Sequence, residues 1–344
     1  MRGTYFLGAD REKKFEVREL PDRPLRGDEV LIRVRACGIC GTDVHIYHGD
    51  EGSAAVTPPV VLGHEFAGEI AAVGDQVTAL KVADHVTADP NMYCGTCRPC
   101  RMGRKQNCQH LRALGVNVNG GFAEFVTAPA AQCFLLDPDV PFDVGAMAEP
   151  LACAIHGIDE AGIRPGETVL IIGGGTIGQI MIQLARLSGA STVLLSEPVA
   201  MRRQLGLEIG ADAAIDPACE DVPARIREIT GTEGADVVIE CVGNNAAAGQ
   251  AVSAAGPGAT ILFFSVPAVG ARLALPLFDL YKKELTVKGS MINPDTHLRA
   301  VNLINSGRLQ ISKLITHSYG LEQLEEAIHM QMSSESIKVV VHPW

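Results

Sequence analysis

The sequence predicts an α/β protein, with a β-barrel domain first and a doubly wound parallel-sheet domain second. Three observations predict it. Residues 1 to about 150 carry short β-rich runs separated by turn signals. From about residue 151, short apolar strands alternate with helical periods, as βαβ units require. At the head of this second stretch stands Gly173-Gly174-Gly175-Thr176-Ile177-Gly178, a turn of the G-x-G-x-x-G type.

The elements follow in order. Glu29–Val34 and Phe66–Val73 mix β-branched and alternating residues and read as strands. Turns are expected at Pro21-Asp22, Gly27-Asp28, Pro58-Pro59, Gly74-Asp75 and Gly120-Gly121. Val169–Ile172 is a buried strand, and Ile177, Ile180, Met181, Leu184 and Leu187 give a helix over about 176–188. Thr192–Ser196 is the next strand, followed by a helix over about 199–209 that Gly210 stops. Ala213–Ile215, Val237–Glu240 and Thr260–Phe264 are further strands. The tail has helical signals near 295–306 and 321–333 and ends in the strand Lys338–His342. It holds too few strands to stand alone. The expected division is therefore 1–150, completed by 289–344, and 151–288.

Composition excludes several classes. The 344 residues are 47% hydrophobic and 20% charged, ample for sizeable cores. The net charge of −11 argues against a nucleic-acid or membrane-surface binder. The apolar run from Val169 to Leu187 is broken by four glycines and carries Gln179, Gln183 and Arg186. A buried strand and helix explain it better than a membrane span. The first ten residues lack the apolar core of a signal peptide, so a cytoplasmic location is expected. Clustered cysteines then read as metal ligands. Cys37, Cys133, Cys153, Cys219 and Cys241 lie outside any motif and are expected as small buried hydrophobes.

Three motifs carry chemistry. Cys94, Cys97, Cys100 and Cys108 pack four sulfurs into fifteen residues, with Gly95 and Gly103 for tight turns. Four soft ligands suit a closed structural zinc, with an iron–sulfur cluster as the alternative. Cys40, His64, Glu65 and Glu149 are a second set, able to bind zinc and leave a coordination place open. Spacing alone does not bring residues 40, 64 and 149 together. Asp43 is a candidate acceptor for the far nitrogen of His64. Thr42 and His45 are candidates to pass a proton from a buried alcohol to solvent. In the third motif, Gly173 allows the turn, Gly175 lets the backbone approach a pyrophosphate, and Gly178 lets helix and strand pack. Glu197 ends the next strand about twenty residues on, where an acid bonds ribose hydroxyls and disfavours the extra phosphate of NADP. Arg202 lies one helical turn further, within reach of the adenine.

Taken together, these motifs resemble the zinc-dependent medium-chain dehydrogenases of the alcohol dehydrogenase superfamily, across essentially the whole chain. The sorbitol (polyol) branch is the nearer likeness, with threonine dehydrogenases beside it. The resemblance implies a GroES-like catalytic domain and a Rossmann coenzyme domain. It implies two zinc ions per chain, one held by Cys94, Cys97, Cys100 and Cys108. The other, catalytic, would be held by Cys40, His64 and Glu149, with Glu65 direct or in exchange. Thr42 and His45 match the proton-relay positions. Gly173, Gly175, Ile177, Gly178, Glu197 and Arg202 match the NAD-binding positions. Val242 and the segment Phe264–Val266, with Ser265 and Val266, match stretches lining the nicotinamide.

The implied reaction is hydride transfer from a secondary alcohol of a sugar alcohol to NAD, giving the ketose. L-threonine is the alternative substrate, and a zinc- and NAD-binding protein without turnover is the alternative of another class. A small-molecule alcohol and a homodimer or homotetramer are the implied partners. Two departures stand out. Ala83 and His85 replace the glycine and arginine of the family's Gly-Asp-Arg-Val, suggesting a relaxed turn and a lost salt bridge. Residues 50–57 are small and polar and lack a tryptophan often found there in threonine dehydrogenases, which favours the polyol reading.

Overall fold

Strand Glu29–Gly38 organises the first unit. Val30, Ile32, Val34 and Ala36 are fully buried and alternate with partly exposed neighbours. That is the period of a sheet with one face on a core. In this computed structural model, which describes residues 1–21, 23–50 and 54–344, the strand pairs antiparallel with Glu65–Val73. It also pairs with Phe125–Pro129 near its start and with Lys338–His342 near its end. Beyond these lie His85–Ala88 and Cys133–Leu135 on one side and Ile315–Gly320 on the other, seven strands in all among the described residues. A smaller sheet joins Phe15–Glu19, Arg2–Phe6 and Val60–Val61. This unit comprises Met1–Ala152 and Ile292–Trp344.

The second unit, Cys153–Met291, holds six parallel strands. Across the sheet they run Ala213–Ile215, Thr192–Ser196, Thr168–Ile172, Ala235–Glu240, Ala255–Phe263, Thr286–Gly289. In chain order that is 3-2-1-4-5-6, the doubly wound order. All five residues of Thr168–Ile172 are buried, as expected of a strand covered on both faces. The order reverses between Thr168–Ile172 and Ala235–Glu240, so the loops after Ile172 and Glu240 flank the switch point. Helix Thr176–Leu187 and helix Ala200–Ile209 lie where the periodicity puts them, and Gly210 caps the latter at φ 134°.

Some expectations change. Ala83 has φ 71°, so the turn is not relaxed: an alanine occupies the left-handed region that glycine favours. His85 packs its ring against Phe142, centroids 4.6 Å apart. Cys219 is exposed, and Cys133, Cys153 and Cys241 are half-buried; among the five unassigned cysteines only Cys37 is fully inside. The turn at Pro21-Asp22 and the segment 50–57 fall partly outside the described residues. No helix among the described residues is long and apolar enough to cross a membrane.

Candidate metal centres and cofactor cradle

The open site is built at the end of strand Glu29–Gly38. The chain leaves that strand through Cys40, which stands at the N-terminus of helix Gly41–His48. Asp43, three residues into the turn, accepts the Cys40 backbone N–H at 2.9 Å and thereby fixes the helix start. His64 and Glu65 arrive at the head of strand Glu65–Val73, which pairs Glu65 with Gly38. Ligand atoms of Cys40, His64 and Glu65 therefore lie within 4.8 Å of one another.

Behind this trio the protein is buried and charged. Asp43 is wholly inside, and its Oδ1 lies 3.7 Å from His64 Nδ1. The two atoms face each other at a distance longer than a hydrogen bond. Both atoms lack hydrogen-bond partners. Burial disfavours a charged imidazole, yet the charges of Asp43, Cys40 and Glu149 outweigh it and hold the His64 pKa well above its ordinary value. Glu149 is thus electrostatically part of the site. It sits, buried, in the first turn of helix Ala148–Ala161, where the helix dipole favours a carboxylate. It stands outside the group of three donors within 4.8 Å.

One residue here escaped the sequence. Lys338, at the start of the final strand, is fully buried and pairs with Glu65. Its Nζ also donates to Ile39 O at 2.8 Å. Burial works against its charge, but Glu65 and then Cys40 more than compensate and raise its pKa. The available signal was a lysine opening an otherwise apolar strand.

The residues present fit a zinc ion. A thiolate, an imidazole and a carboxylate converge, and His64 turns Nδ1 to Asp43, so Nε2 is the nitrogen left for a metal. Thr42 and His45 follow on the same helix, both partly exposed.

The four-cysteine lobe is equally well formed. Cys94, Cys97, Cys100 and Cys108 bring their sulfurs within 4.8 Å of one another. Backbone N–H groups of Cys94 and His110 donate to Cys108 Sγ, and that of Cys97 to Cys94 Sγ, each at 3.4 Å. The Cys97 N–H contributes most to lowering the Cys94 thiol to about 5. Burial, then the neighbouring thiols, pushes Cys100 to about 12. Four sulfurs that cannot all ionise together unaided suit a cation among them.

In the second unit, Gly173 takes φ 95°, and a Cβ there would meet Val242 Cγ2 at 2.6 Å. The Cβ of any residue at 178 would lie 1.8 Å from Gly173 O. At Gly175, the N-cap of helix Thr176–Leu187, a Cβ would meet nothing within 4 Å. The space in front of this helix end is therefore a cradle that a side chain would fill, as a bound pyrophosphate requires. Ile177 lies half-buried in the first turn. Glu197 is buried; its Oε2 accepts the Gly174 N–H at 2.6 Å and its Oε1 the Val199 N–H at 2.8 Å. Arg202 is on helix Ala200–Ile209, where its carbonyl accepts from Gln179 Nε2. Arg203, passed over in the sequence, ties the loop by donating to the carbonyls of Glu197 and Pro198.

Val242 and Val266 are 47% and 54% exposed, as residues awaiting a partner would be. Ser265 donates to Glu240 Oε2, and Glu240 Oε1 accepts the Val242 and Gly243 N–H groups at 2.6 and 2.8 Å. Glu240 thus fixes both loops. Like Glu197 it is a buried acid ending a strand at the switch-point edge, and that parallel was the signal for it.

The chain matches two family descriptions: "Alcohol dehydrogenase GroES-like domain" over residues 26–138 and "Zinc-binding dehydrogenase" over residues 176–306. It is 37% identical over 332 residues to L-threonine 3-dehydrogenase of Symbiobacterium thermophilum, covering 95% of this chain and 94% of that protein. With sorbitol dehydrogenase of Bacillus subtilis it shares 32% identity over 337 residues, 97% and 95% of the two chains. A solved structure from Sinorhizobium meliloti, a zinc-binding dehydrogenase by its description and bound to NADP, shares the fold with a TM-score of 0.93. Its identity is 39%, with 99% of both chains covered.

Proposed function

The chain belongs to the zinc-dependent medium-chain alcohol dehydrogenases, and we propose that it oxidises a secondary hydroxyl of a small sugar alcohol to the ketone, with NAD as hydride acceptor. The observation that carries this reading is the convergence of Cys40, His64 and Glu65, backed by the buried charges of Asp43, Glu149 and Lys338. Such a polar surround suits a polyhydroxylated substrate. Zinc, when bound, supplies Lewis acidity that makes a substrate hydroxyl easier to deprotonate. The nicotinamide supplies the acceptor for hydride.

The chain's own residues do the rest. Cys40 and His64, with Glu65 or Glu149, would hold the metal, and Asp43 would orient His64. Thr42 takes the hydroxyl proton and His45 carries it toward solvent. Glu197 receives the ribose hydroxyls: each of its oxygens takes one backbone N–H and keeps lone-pair capacity for another donor. Val242, Ser265 and Val266 would line the nicotinamide.

The test is NADH formation by zinc-loaded enzyme against a panel of sugar alcohols and L-threonine. Turnover of a polyol is expected. Turnover of L-threonine alone would replace the polyol by a hydroxy amino acid, the reading that the 37% identity to a threonine dehydrogenase favours. Coenzyme choice has its own test. Glu197→Ala removes two charge-assisted bonds and a negative charge, so NAD binding weakens by roughly ten- to a hundredfold and the preference over NADP narrows. Paired KM measurements for the two coenzymes read this, and an unchanged ratio would remove Glu197 from the ribose site.

We further propose a homodimer or homotetramer. Among the described residues, strand Thr286–Gly289 pairs on one side only, and every residue of it is exposed. Leu277, Phe278 and Tyr281 nearby are 74%, 72% and 78% exposed. An open edge beside apolar side chains invites a second copy of the chain. Sedimentation equilibrium is expected to give a multimer, and Val287→Pro, which removes an edge N–H, to shift it toward the single chain.

A further inference from the structure

We infer that Asp50 is a positioning residue for His45, holding its Nδ1 proton so that Nε2 is the accepting nitrogen. The inference rests on the reading of His45 as proton carrier. It starts from how helix Gly41–His48 ends. Gly49 is left-handed at φ 91°, ψ 11°. The Gly49 N–H donates to Ile46 O at 3.0 Å and the Asp50 N–H to His45 O at 2.9 Å. These two bonds define a Schellman motif, which brings the residue after the left-handed one back over the residue five before it. An apolar pair commonly meets there. In this chain the pair is a carboxylate and an imidazole, with Asp50 Oδ2 at 3.6 Å from His45 Nδ1.

Neighbouring polar groups are engaged elsewhere. Tyr47 Oη donates to Glu325 Oε1 at 2.9 Å and lies 3.0 Å from His329 Nε2, and His48 Nε2 lies 3.3 Å from Met332 Sδ. The side chains of His45 and Asp50 are 30% and 52% exposed, so the pair adds little to folding stability. Its consequence falls on the imidazole. A carboxylate facing Nδ1 keeps the proton on that nitrogen and leaves the Nε2 lone pair free. Nε2 then takes the relayed substrate proton, giving a ring with a proton on each nitrogen. The Nε2 proton then passes to water, which returns the ring to the Nδ1–H form; no electrons are exchanged.

The test uses zinc-loaded, ¹⁵N-histidine-labelled full-length protein, with the His45 signal assigned by its loss in His45→Gln. Wild type is expected to show the Nδ1–H tautomer. Asp50→Ala is expected to lose that preference and to lower kcat about tenfold with KM and Tm unchanged. Asp50→Asn, whose amide oxygen presents an acceptor to Nδ1–H, is expected to restore the tautomer and most of the rate. Rates are read with sorbitol and with L-threonine; the tautomer readout needs no turnover. An unchanged tautomer in Asp50→Ala overturns the inference, as does a changed tautomer with unchanged kcat where His45→Gln is impaired. Full kcat in His45→Gln overturns the relay reading itself, and Asp50's role with it, which separates the two failures.

Discussion

Replacing Cys40 with serine is expected to lower kcat/KM by at least about a thousandfold, roughly 4 kcal/mol of transition-state stabilisation, while the dinucleotide still binds. A hydroxyl is a far poorer zinc ligand than a thiolate, so the open site loses the only sulfur in its donor set. The substitution leaves the fold alone. The Cys40 backbone N–H still meets Asp43 Oδ2, and serine is a favourable residue at a helix N-cap. The cysteine lobe at 94–108 is untouched. Metal analysis is therefore expected to give one zinc per chain instead of two, with a folded chain, a Tm lowered only by the binding free energy of the lost ion, and an unchanged NADH titration. Turnover near the wild-type level in a variant that has lost one zinc would show that the chemistry does not depend on this site.

Much of the second unit was legible because its strands are buried on both faces. Thr168–Ile172 and Thr192–Ser196 lie within a residue of where their β-branched and apolar runs place them. Where burial leaves no pattern, the signal disappears. Thr286–Gly289 is exposed at every position, and Phe15–Glu19 carries three charges with only Phe15 buried. Helix Gly41–His48 is short, with Asp43, Ile46 and Tyr47 buried, so it shows no apolar stripe.

The site divides in the same way. Local motifs were readable: four cysteines in one loop, three glycines in one turn. Long-range convergence was not, because His64 and Glu65 reach Cys40 through strand pairing, and Lys338 reaches Glu65 from the far end of the chain. Ala83 shows the converse limit. Its identity suggested an easy turn, while the backbone holds it at φ 71°. Left-handed geometry costs such a residue about 1–2 kcal/mol, which the packed strands on either side sustain.

The glycine turn offers a prediction in which two neighbouring substitutions part company. Gly175→Ala is expected to leave the fold nearly unchanged, because φ −72° and ψ −169° suit alanine and its Cβ would meet nothing within 4 Å. The loss at an N-cap is under about 1 kcal/mol. Its methyl group, however, stands in the space through which a pyrophosphate approaches the N-terminal end of helix Thr176–Leu187, so NADH affinity falls about a hundredfold, roughly 2.7 kcal/mol. Gly178→Ala acts differently. Its Cβ would lie 1.8 Å from Gly173 O, a backbone atom that cannot rotate away, so strand and helix must separate. Overpacking of this kind costs about 1–3 kcal/mol and lowers Tm by several degrees, and the displaced turn loses the cofactor as well. Thermal melts paired with NADH fluorescence titrations distinguish the cases: affinity alone is lost in the first, affinity and stability together in the second. If Gly175→Ala bound NADH as tightly as the parent, the open space before this helix would not be where the phosphates sit. If Gly178→Ala kept its Tm, the close approach of helix to strand would not be what requires glycine at that position.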